Sequence, residues 1–298
     1  MPADLAVNVC DSCGSVWLEA GYDYTALPED WHIKIRERDT SLWRYEELLP
    51  IKDMTKLITM GEGWTPLIRA ERIADELGLN SVFIKDERQS PTGSFKDRQG
   101  VVSINALRQR GITELVLAST GNKAAAYAAY CARAGVRVWI FLTSMVPSEK
   151  LRELALYGAE VVKIAGTYDQ AKKVAADFAE RRNLFHDAGL HNLTGREGLK
   201  TLAFEIAEQL ARAIPVENGK WRAPDWYIQA VGGGIGPISI YHGFQQLKEI
   251  GLIDHIPKIG VIQVEGCAPM VTAWQADAEE AEAIIPRTRI AVLSSGDP

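Results

Sequence analysis

Between residues 115 and 264 the chain alternates short apolar runs with longer segments of helical periodicity. The short runs are rich in β-branched and aromatic residues, as buried strands are, and the longer segments repeat apolar residues every three or four positions. The predicted strands are Leu115–Ala118, Val136–Leu142, Glu160–Ile164, Trp226–Val231 and Ile259–Val264; the predicted helices are Lys123–Ala134, Ser148–Tyr157, a segment from the Thr167/Gln170 capping box to Arg182, Arg196–Ala213 and Ile238–Ile250. This alternation predicts an α/β fold with a mostly parallel sheet and helices on both faces.

The flanking residues predict a few further elements. They are a helix over Ile68–Leu77 closed by Gly78, a short strand over Ser81–Lys85, a helix over Phe95–Arg110 stopped by Gly111, and a strand over Ile290–Leu293. Residues 21–60, rich in Trp, Tyr and charge, predict an arm or cap that packs on a main domain.

Composition bounds the class of protein. The chain has 298 residues, 47% of them hydrophobic, and a formal net charge of -6. An acidic balance without a Lys/Arg-rich run argues against a nucleic-acid partner. Neither a secretory leader nor an apolar run of bilayer length is visible, so we expect no membrane and a cytoplasmic location. The isolated pair Cys10 and Cys13 supplies only half of a zinc site, and the five histidines have no metal spacing, so no metal is expected.

The stretch Ser90–Arg98 places a lysine where an ordinary surface lysine is disfavoured. A proline and a glycine predict a tight turn, and Ser94 with Asp97 has the form of a helix-start box, so Lys96 falls in the first turn of a helix. The helix dipole is positive there and disfavours a cation by about 0.3–1 kcal/mol. With partial burial, the same field lowers the pKa of an amine, as an imine-forming lysine requires. On this motif alone, a solvated lysine is an equally good interpretation.

Four glycines lie within residues 232–236, between a predicted strand and a predicted helix. Glycines let backbone N–H groups converge on an anion, and the helix start adds its dipole, so this loop predicts a phosphate site. Dinucleotide binding is less favoured because Pro237 interrupts the glycine spacing, although Glu265 ends the next strand, where a ribose-binding acid would lie. A close-packed turn without a ligand is the third interpretation.

Three segments together resemble one enzyme family. Residues 61–67 read Gly-Glu-Gly-Trp-Thr-Pro-Leu, residues 91–98 read Pro-Thr-Gly-Ser-Phe-Lys-Asp-Arg, and residues 118–122 read Ala-Ser-Thr-Gly-Asn. In this order they resemble the threonine synthases, within the pyridoxal-phosphate enzymes that include threonine dehydratase, cysteine synthase and the tryptophan synthase β chain. The resemblance covers roughly residues 55–270. It implies a tryptophan synthase β-like fold, in which two open, mostly parallel sheets are flanked by helices.

The same resemblance implies a domain organisation and site residues. Its parts are an N-terminal arm (1–60), a large cofactor-binding domain (61–94 and 166–298) and a small domain (95–165). The cofactor contacts are Lys96, which carries the imine and is catalytic, Asn122 at the ring oxygen, and Gly232, Gly233, Gly234, Ile235 and Gly236 at the phosphate. The substrate contacts are Ser119, Thr120, Gly121, Lys123, Arg196 and Lys200.

Some of these assignments have alternatives in the residues themselves. Asn122 also suits an ordinary helix cap, and Lys123, where the family has a small residue or threonine, also suits a solvent-facing helix position. Gly195 stands where the family pattern has an arginine, and Arg196 is displaced from that position by one residue.

The function implied is that of a pyridoxal-phosphate-dependent threonine synthase, a lyase that converts O-phosphohomoserine and water to threonine and phosphate. The partner is then a small phosphorylated amino acid, and the family implies a homodimer. A related β-replacing or dehydrating enzyme, such as one like cysteate synthase, is the alternative within the same cofactor class. A nicotinamide-dependent dehydrogenase and an inactive regulatory homologue are the alternatives from other classes.

Overall fold

The computed structural model describes residues 9–119, 121–144, 146–216 and 219–297. Its strands are β1 (Leu67–Arg69), β2 (Phe83–Lys85), β3 (Glu114–Ala118), β4 (Arg137–Thr143), β5 (Glu160–Ile164), β6 (Phe185–Asp187), β7 (Trp226–Ala230) and β8 (Lys258–Ile262). Its α-helices are α1 (Trp31–Lys34), α2 (Glu71–Leu77), α3 (Lys96–Arg108), α4 (Asn122–Ala134), α5 (Ser148–Leu156), α6 (Tyr168–Arg182), α7 (Leu193–Ala213), α8 (Ile235–Glu249) and α9 (Pro269–Gln275).

A parallel sheet of four strands lies at the centre of the first half, in the order β5-β4-β3-β6. Leu115 and Leu117 of β3 pack on one face, in a core shared with α3 and α4, whereas Val116 and Ala118 pack on the other face, against α6. Successive side chains of a strand point to opposite faces, so a strand that is apolar on both sides requires helices on both sides.

Strands β7 and β8 form a separate parallel pair, and β1 and β2 form a small antiparallel one. Helices α7 and α8 share a core with the N-terminal arm, in which Trp31 and Tyr45 contribute buried aromatic rings. The predicted α/β class with mostly parallel sheets is therefore confirmed. The division into domains stays a prediction. Residues 95–165, the predicted small domain, contain three strands of the four-stranded sheet, and the fourth strand, β6, lies later in the chain.

The predicted capping box is present at the start of α6. Thr167 Oγ1 accepts a hydrogen bond from Gln170 N at 3.2 Å, and Gln170 Oε1 accepts one from Thr167 N at 2.8 Å. Two reciprocal bonds satisfy amides that the helix itself leaves unpaired.

Two predicted elements differ from the structure. The single helix predicted over Ile68–Leu77 is wrong at its start, because Leu67–Arg69 pairs antiparallel with Phe83–Lys85 and the helix begins only at Glu71. The strand predicted over Ile290–Leu293 is also wrong, because Ala291–Leu293 forms a 3-10 turn. In the first case the pairing with β2 outweighs the local pattern, and in the second a local hydrogen bond from Leu293 N to Ile290 O closes the turn.

The topology brings the ends of several elements together. Strands β3 and β6 are parallel neighbours, so Ser119, which follows β3, and Asp187, which ends β6, lie at the same edge of the sheet. In open α/β sheets this carboxyl edge is where ligands bind. In the described part of the chain, no helix is both long and apolar enough to cross a membrane.

Candidate active site

The turn before α3 fixes the first residue of that helix. Gly93 has a positive φ of 77°. Ser94 Oγ accepts from Lys96 N at 3.3 Å, and the Asp97 carboxylate accepts from Thr92 N at 2.9 Å and from Thr92 Oγ1 at 2.8 Å. Burial raises the pKa of Asp97 to about 6. These contacts hold Lys96 in the first turn of α3, as the motif predicts.

Lys96 is half-buried at this helix start, and its amine is perturbed. Burial and, secondarily, the Lys123 ammonium lower its pKa to about 7, while the Asp187 carboxylate opposes the shift. Lys96 Nζ lies 3.2 Å from Gln99 Oε1 and 4.6 Å from the centroid of the Phe95 ring. Since an ordinary lysine has a pKa near ~10.4, this amine is unusually available as a neutral nucleophile.

Lys123 is held at the same place by a buried carboxylate. Its Nζ lies 2.6 Å from Asp187 Oδ1, and its side chain is only 12% exposed. Asp187 also accepts from Gly189 N at 2.9 Å and from Asn192 Nδ2 at 2.5 Å. Burial raises the pKa of Asp187, but Lys123 and the hydrogen bonds from Tyr127 and Gly189 outweigh it and leave the pKa below its ordinary value. The solvent-facing interpretation of Lys123 is therefore wrong.

Sequence reasoning missed Asp187 and the hydrogen-bond network behind it. Asn192 Nδ2 lies 3.3 Å from Tyr127 OH and 3.3 Å from Ser103 Oγ, and Asn192 Oδ1 caps α7 by accepting from Gly195 N at 3.1 Å. All of these side chains are buried. The one local signal was an asparagine just before a predicted helix, a common N-cap.

The loop after β3 supplies the other predicted contacts on this side. Ser119 is buried, and its Oγ accepts weakly from Gly121 N at 3.4 Å. Asn122 is the first residue of α4, and the N-cap is Gly121, without a side-chain hydrogen bond. The helix-cap interpretation of Asn122 is thus wrong, and its exposed side chain is available to a ligand. Thr120 lies outside the described residues.

The glycine loop 232–236 lies between β7 and α8. Gly234 is the N-cap of α8 with φ of 80°, a conformation that favours glycine. A Cβ on Gly236 would lie 2.7 Å from the Gln229 amide atoms. The backbone therefore favours glycine at Gly234, a side chain at Gly236 would displace the Gln229 amide, and the loop ends at the start of a helix, where backbone N–H groups are free for an anion.

One residue near the C-terminus touches both loops. A Cβ on Gly121 would lie 3.0 Å from Val292 Cγ1, and a Cβ on Gly232 would lie 3.6 Å from Val292 O. The loop after β3 and the glycine loop therefore flank the same short segment. The loop after β3 leads directly into α4, which carries Lys123.

Comparison with known proteins identifies the family. Residues 58–298 match the family described as pyridoxal-phosphate dependent enzyme. The chain belongs to this family. It is 36% identical to the threonine synthase of Methanocaldococcus jannaschii over 95% of this chain and 67% of that protein. It is 33% identical to the threonine synthase of Methanosarcina acetivorans over 92% of this chain and 65% of that protein. The chain therefore spans about two thirds of these relatives.

Solved structures show the same fold. The processed form of threonine deaminase isoform 2 from Solanum lycopersicum aligns with a TM-score of 0.62 at 22% identity, covering 78% of this chain and 62% of that one. Maize serine racemase aligns with a TM-score of 0.64 at 19% identity, covering 78% of this chain and 66% of that one. The resemblance to threonine synthases and the predicted pyridoxal-phosphate fold are confirmed, and the match favours pyridoxal phosphate over a nicotinamide cofactor.

Lys96 and the glycine loop fit the cofactor of this family. Pyridoxal phosphate combines an aldehyde, which needs a neutral amine, with an anionic phosphate, which needs converging donors. Lys96 has the lowered pKa that the aldehyde requires. The glycine loop presents backbone amides at the start of α8, where the helix dipole favours an anion.

Arg196 and Lys200 have different partners from the rest of the predicted site. Arg196 donates to Leu18 O of the N-terminal arm, and it lines a cavity of about 100 Å³ between the arm, α7 and α8. Lys200 Nζ contacts the Glu197 carboxylate and lies 4.0 Å from the centroid of the Tyr22 ring. The structure thus brings Arg196 and Lys200 together with the arm rather than with Lys123 and Asp187.

A second buried network ties the recognised segments to each other. Arg98 forms a two-pronged ion pair with Glu205, at 2.6 Å and 2.7 Å, and it also contacts Glu87 at 2.8 Å. Lys85 lies 2.8 Å from Glu205, and Trp64 N donates to Glu205 at 2.8 Å. The segment 61–67, β2 and α3 are thereby fixed on α7. Sequence reasoning quoted Arg98 within its motif without giving it this role.

The described residues contain no group of three His, Cys, Asp or Glu side chains placed to hold a metal ion. Cys10 and Cys13 lie in a turn closed by a hydrogen bond from Gly14 N to Cys10 O at 2.8 Å. They therefore form a pair of cysteines in a loop.

Proposed function

We propose that this protein is a threonine synthase that converts O-phosphohomoserine and water to threonine and phosphate. The observation that carries the proposal is the Lys96 amine, whose pKa is about 7, in the first turn of α3 and within reach of the charges of Lys123 and Asp187. The curated relatives named threonine synthase support the same activity. A cytoplasmic homodimer is part of the proposal.

Lys96 would hold the cofactor through its amine, the amides of residues 232–236 would hold the phosphate of the cofactor, and Asn122 would contact its ring oxygen. When bound, pyridoxal phosphate supplies a conjugated ring that takes up the electron pair left at Cα of the substrate. Lys96, displaced by the substrate amine, then accepts the proton from Cα and returns it at the end of the reaction. Its low pKa lets it perform both steps near neutral pH.

We infer that the substrate is bound by the loop that follows β3 and by Lys123. In this proposal, Ser119, Thr120 and Gly121 hold the substrate carboxylate, and Lys123 attracts the phosphate that leaves from Cγ. Removal of a proton from Cβ, protonation of Cγ and addition of water at Cβ complete the exchange of phosphate for a hydroxyl group. Arg196 and Lys200 act indirectly, by holding the N-terminal arm on α7.

The test is to incubate the protein and pyridoxal phosphate with O-phosphohomoserine, O-phosphoserine or serine, and to measure phosphate, threonine and pyruvate. We expect equimolar threonine and phosphate from O-phosphohomoserine alone. Lys96→Ala should abolish turnover, and Lys123→Gln should raise the KM for O-phosphohomoserine about tenfold or more, because a charge-assisted contact is lost. Pyruvate from serine, with no threonine from O-phosphohomoserine, would instead support a dehydrating enzyme.

A further inference from the structure

Gln99 lies beside Lys96 on the inner face of α3. The two residues are three apart in the sequence, so they share one face of the helix. Gln99 is 1% exposed, and its Oε1 accepts from Lys96 Nζ at 3.2 Å. A buried, neutral amide is therefore in direct contact with the amine whose pKa is lowered.

The position of this amide depends on a glycine in the neighbouring helix. A Cβ on Gly195, in the first turn of α7, would lie 3.0 Å from Gln99 Cγ and 3.2 Å from Gln99 Nε2. At these distances the Gln99 side chain would have to shift by about a few tenths of an ångström, so alanine at residue 195 would change the position of the amide. The absence of a side chain at Gly195 is what admits the amide next to Lys96.

An amide suits an amine that changes its protonation state. Its oxygen accepts an N–H from either form of the amine, and its NH₂ group can donate to the lone pair of the neutral form after the amide turns over. Gln99 Nε2 is buried and has no hydrogen-bond partner among the described residues. Rotating the amide by half a turn therefore breaks no hydrogen bond of its NH₂ group. A carboxylate in the same place would instead stabilise the ammonium form and raise its pKa.

We propose that Gln99 is a positioning residue that holds the Lys96 amine in its reactive orientation in both protonation states, in a space kept open by Gly195. This inference deepens the proposed function, since it assigns how the cofactor lysine is controlled. The charged groups that face Lys96 are Lys123 from α4 and Asp187 from β6. Gln99 thus adds an oriented contact to that environment without adding charge.

The experiment measures Lys96 directly and does not depend on turnover. The full chain, freed of cofactor, is labelled with acetic anhydride over a range of pH, and acetylation of Lys96 is quantified by mass spectrometry with exposed Lys56 as the internal reference. Wild type should show a midpoint of about 7. Gln99→Glu should raise that midpoint by about one unit or more. Gln99→Leu should slow labelling of the neutral amine and also slow attachment of pyridoxal phosphate, each by about tenfold.

Two further variants separate positioning from folding. Gly195→Ala keeps the glutamine but displaces it, so it should slow attachment as Gln99→Leu does, and the double variant should be no slower than either. Gln245→Leu on α8 is the matched control and should behave as wild type. A purely structural role would change thermal stability and leave the midpoint alone, so a wild-type midpoint in Gln99→Glu overturns the proposal. Loss of threonine formation with these labelling results intact would count against the proposed function only.

Discussion

Lys85, Lys96, Lys123 and Lys200 are all at least partly sheltered from solvent, and of these four only Lys96 lacks a carboxylate contact of its own. Lys85 contacts Glu205 and Lys200 contacts Glu197, whereas Lys96 contacts the neutral amide of Gln99. Burial lowers the pKa of each of these three amines, and the contacting carboxylates oppose this for Lys85 and Lys200. Lys96 instead has a second ammonium nearby, that of Lys123, and the pKa of Lys96 falls to about 7.

This difference separates structural from chemical lysines. A buried ammonium with its own carboxylate is a fixed charge that holds two segments together. The carboxylate near Lys96 is Asp187, and it is already bonded to Lys123 at 2.6 Å. The amine of Lys96 is therefore poised near neutrality for covalent chemistry, which is the property that the proposed function requires.

The largest expected effect is on cofactor attachment. Lys96→Met should abolish the visible absorbance of the lysine-bound cofactor, because the Lys123 and Lys200 ammonium groups are each held by a carboxylate. Lys200→Met should keep that absorbance. Borohydride reduction followed by peptide mapping locates the modified lysine, and a reduced adduct on Lys123 or Lys200 of the wild type would contradict the comparison.

The next largest effect is on the stability that the buried network of Arg98, Lys85 and Glu205 provides. Glu205→Gln leaves Arg98 and Lys85 without their shared carboxylate in a buried site, so the free energy of unfolding should fall by about 3–5 kcal/mol. Urea unfolding measures it. The surface change Glu46→Gln, near Arg38 at 3.6 Å, is the matched control and should cost less than about 1 kcal/mol. Equal losses in both variants would show that the buried network contributes no special stability.

A third effect is a pH dependence of stability that belongs to Lys96. Its pKa is about 7 in the folded protein and 10.5 as the ordinary value, so between these pH values the unfolded chain binds more protons. Stability from this group therefore rises with pH, by about 3 kcal/mol between pH 7 and pH 9.5. Urea unfolding at both pH values should show the rise in wild type and its loss in Lys96→Met. An unchanged rise in that variant would assign it to other groups.

The smallest effect is a shift of the Lys96 midpoint by its two charged neighbours. Because Lys123 lowers the pKa of Lys96 and Asp187 raises it, Lys123→Gln should move the midpoint up and Asp187→Asn should move it down, each by about one unit. Acetic anhydride labelling measures both, again with Lys56 as the reference. Shifts in the same direction would mean that the two variants act through a change of structure rather than through charge.

Local patterns in the sequence were sufficient for much of the fold. The strand and helix alternation, the Thr167 capping box and the start of α3 at Lys96 all depend on residues within a few positions of each other, which is the range over which backbone geometry and side-chain periodicity act. The loop at 232–236 was predictable for the same reason, since glycine permits its turn whatever surrounds it. Recognition of the three short segments then indicated the family.

The tertiary structure alone decided which side chains meet. Lys123 and Asp187 are 64 residues apart, and Arg98 and Glu205 are 107 apart, so no local pattern announces either pair. The pairing of β1 with β2, the contact of Arg196 with the N-terminal arm and the space at Gly195 for Gln99 were likewise set by packing. The sequence by itself thus determined most of the elements and singled out Lys96 as the candidate reactive lysine. Packing of distant elements determined the low pKa of that lysine, because the pKa depends on burial and on charges brought from other parts of the chain.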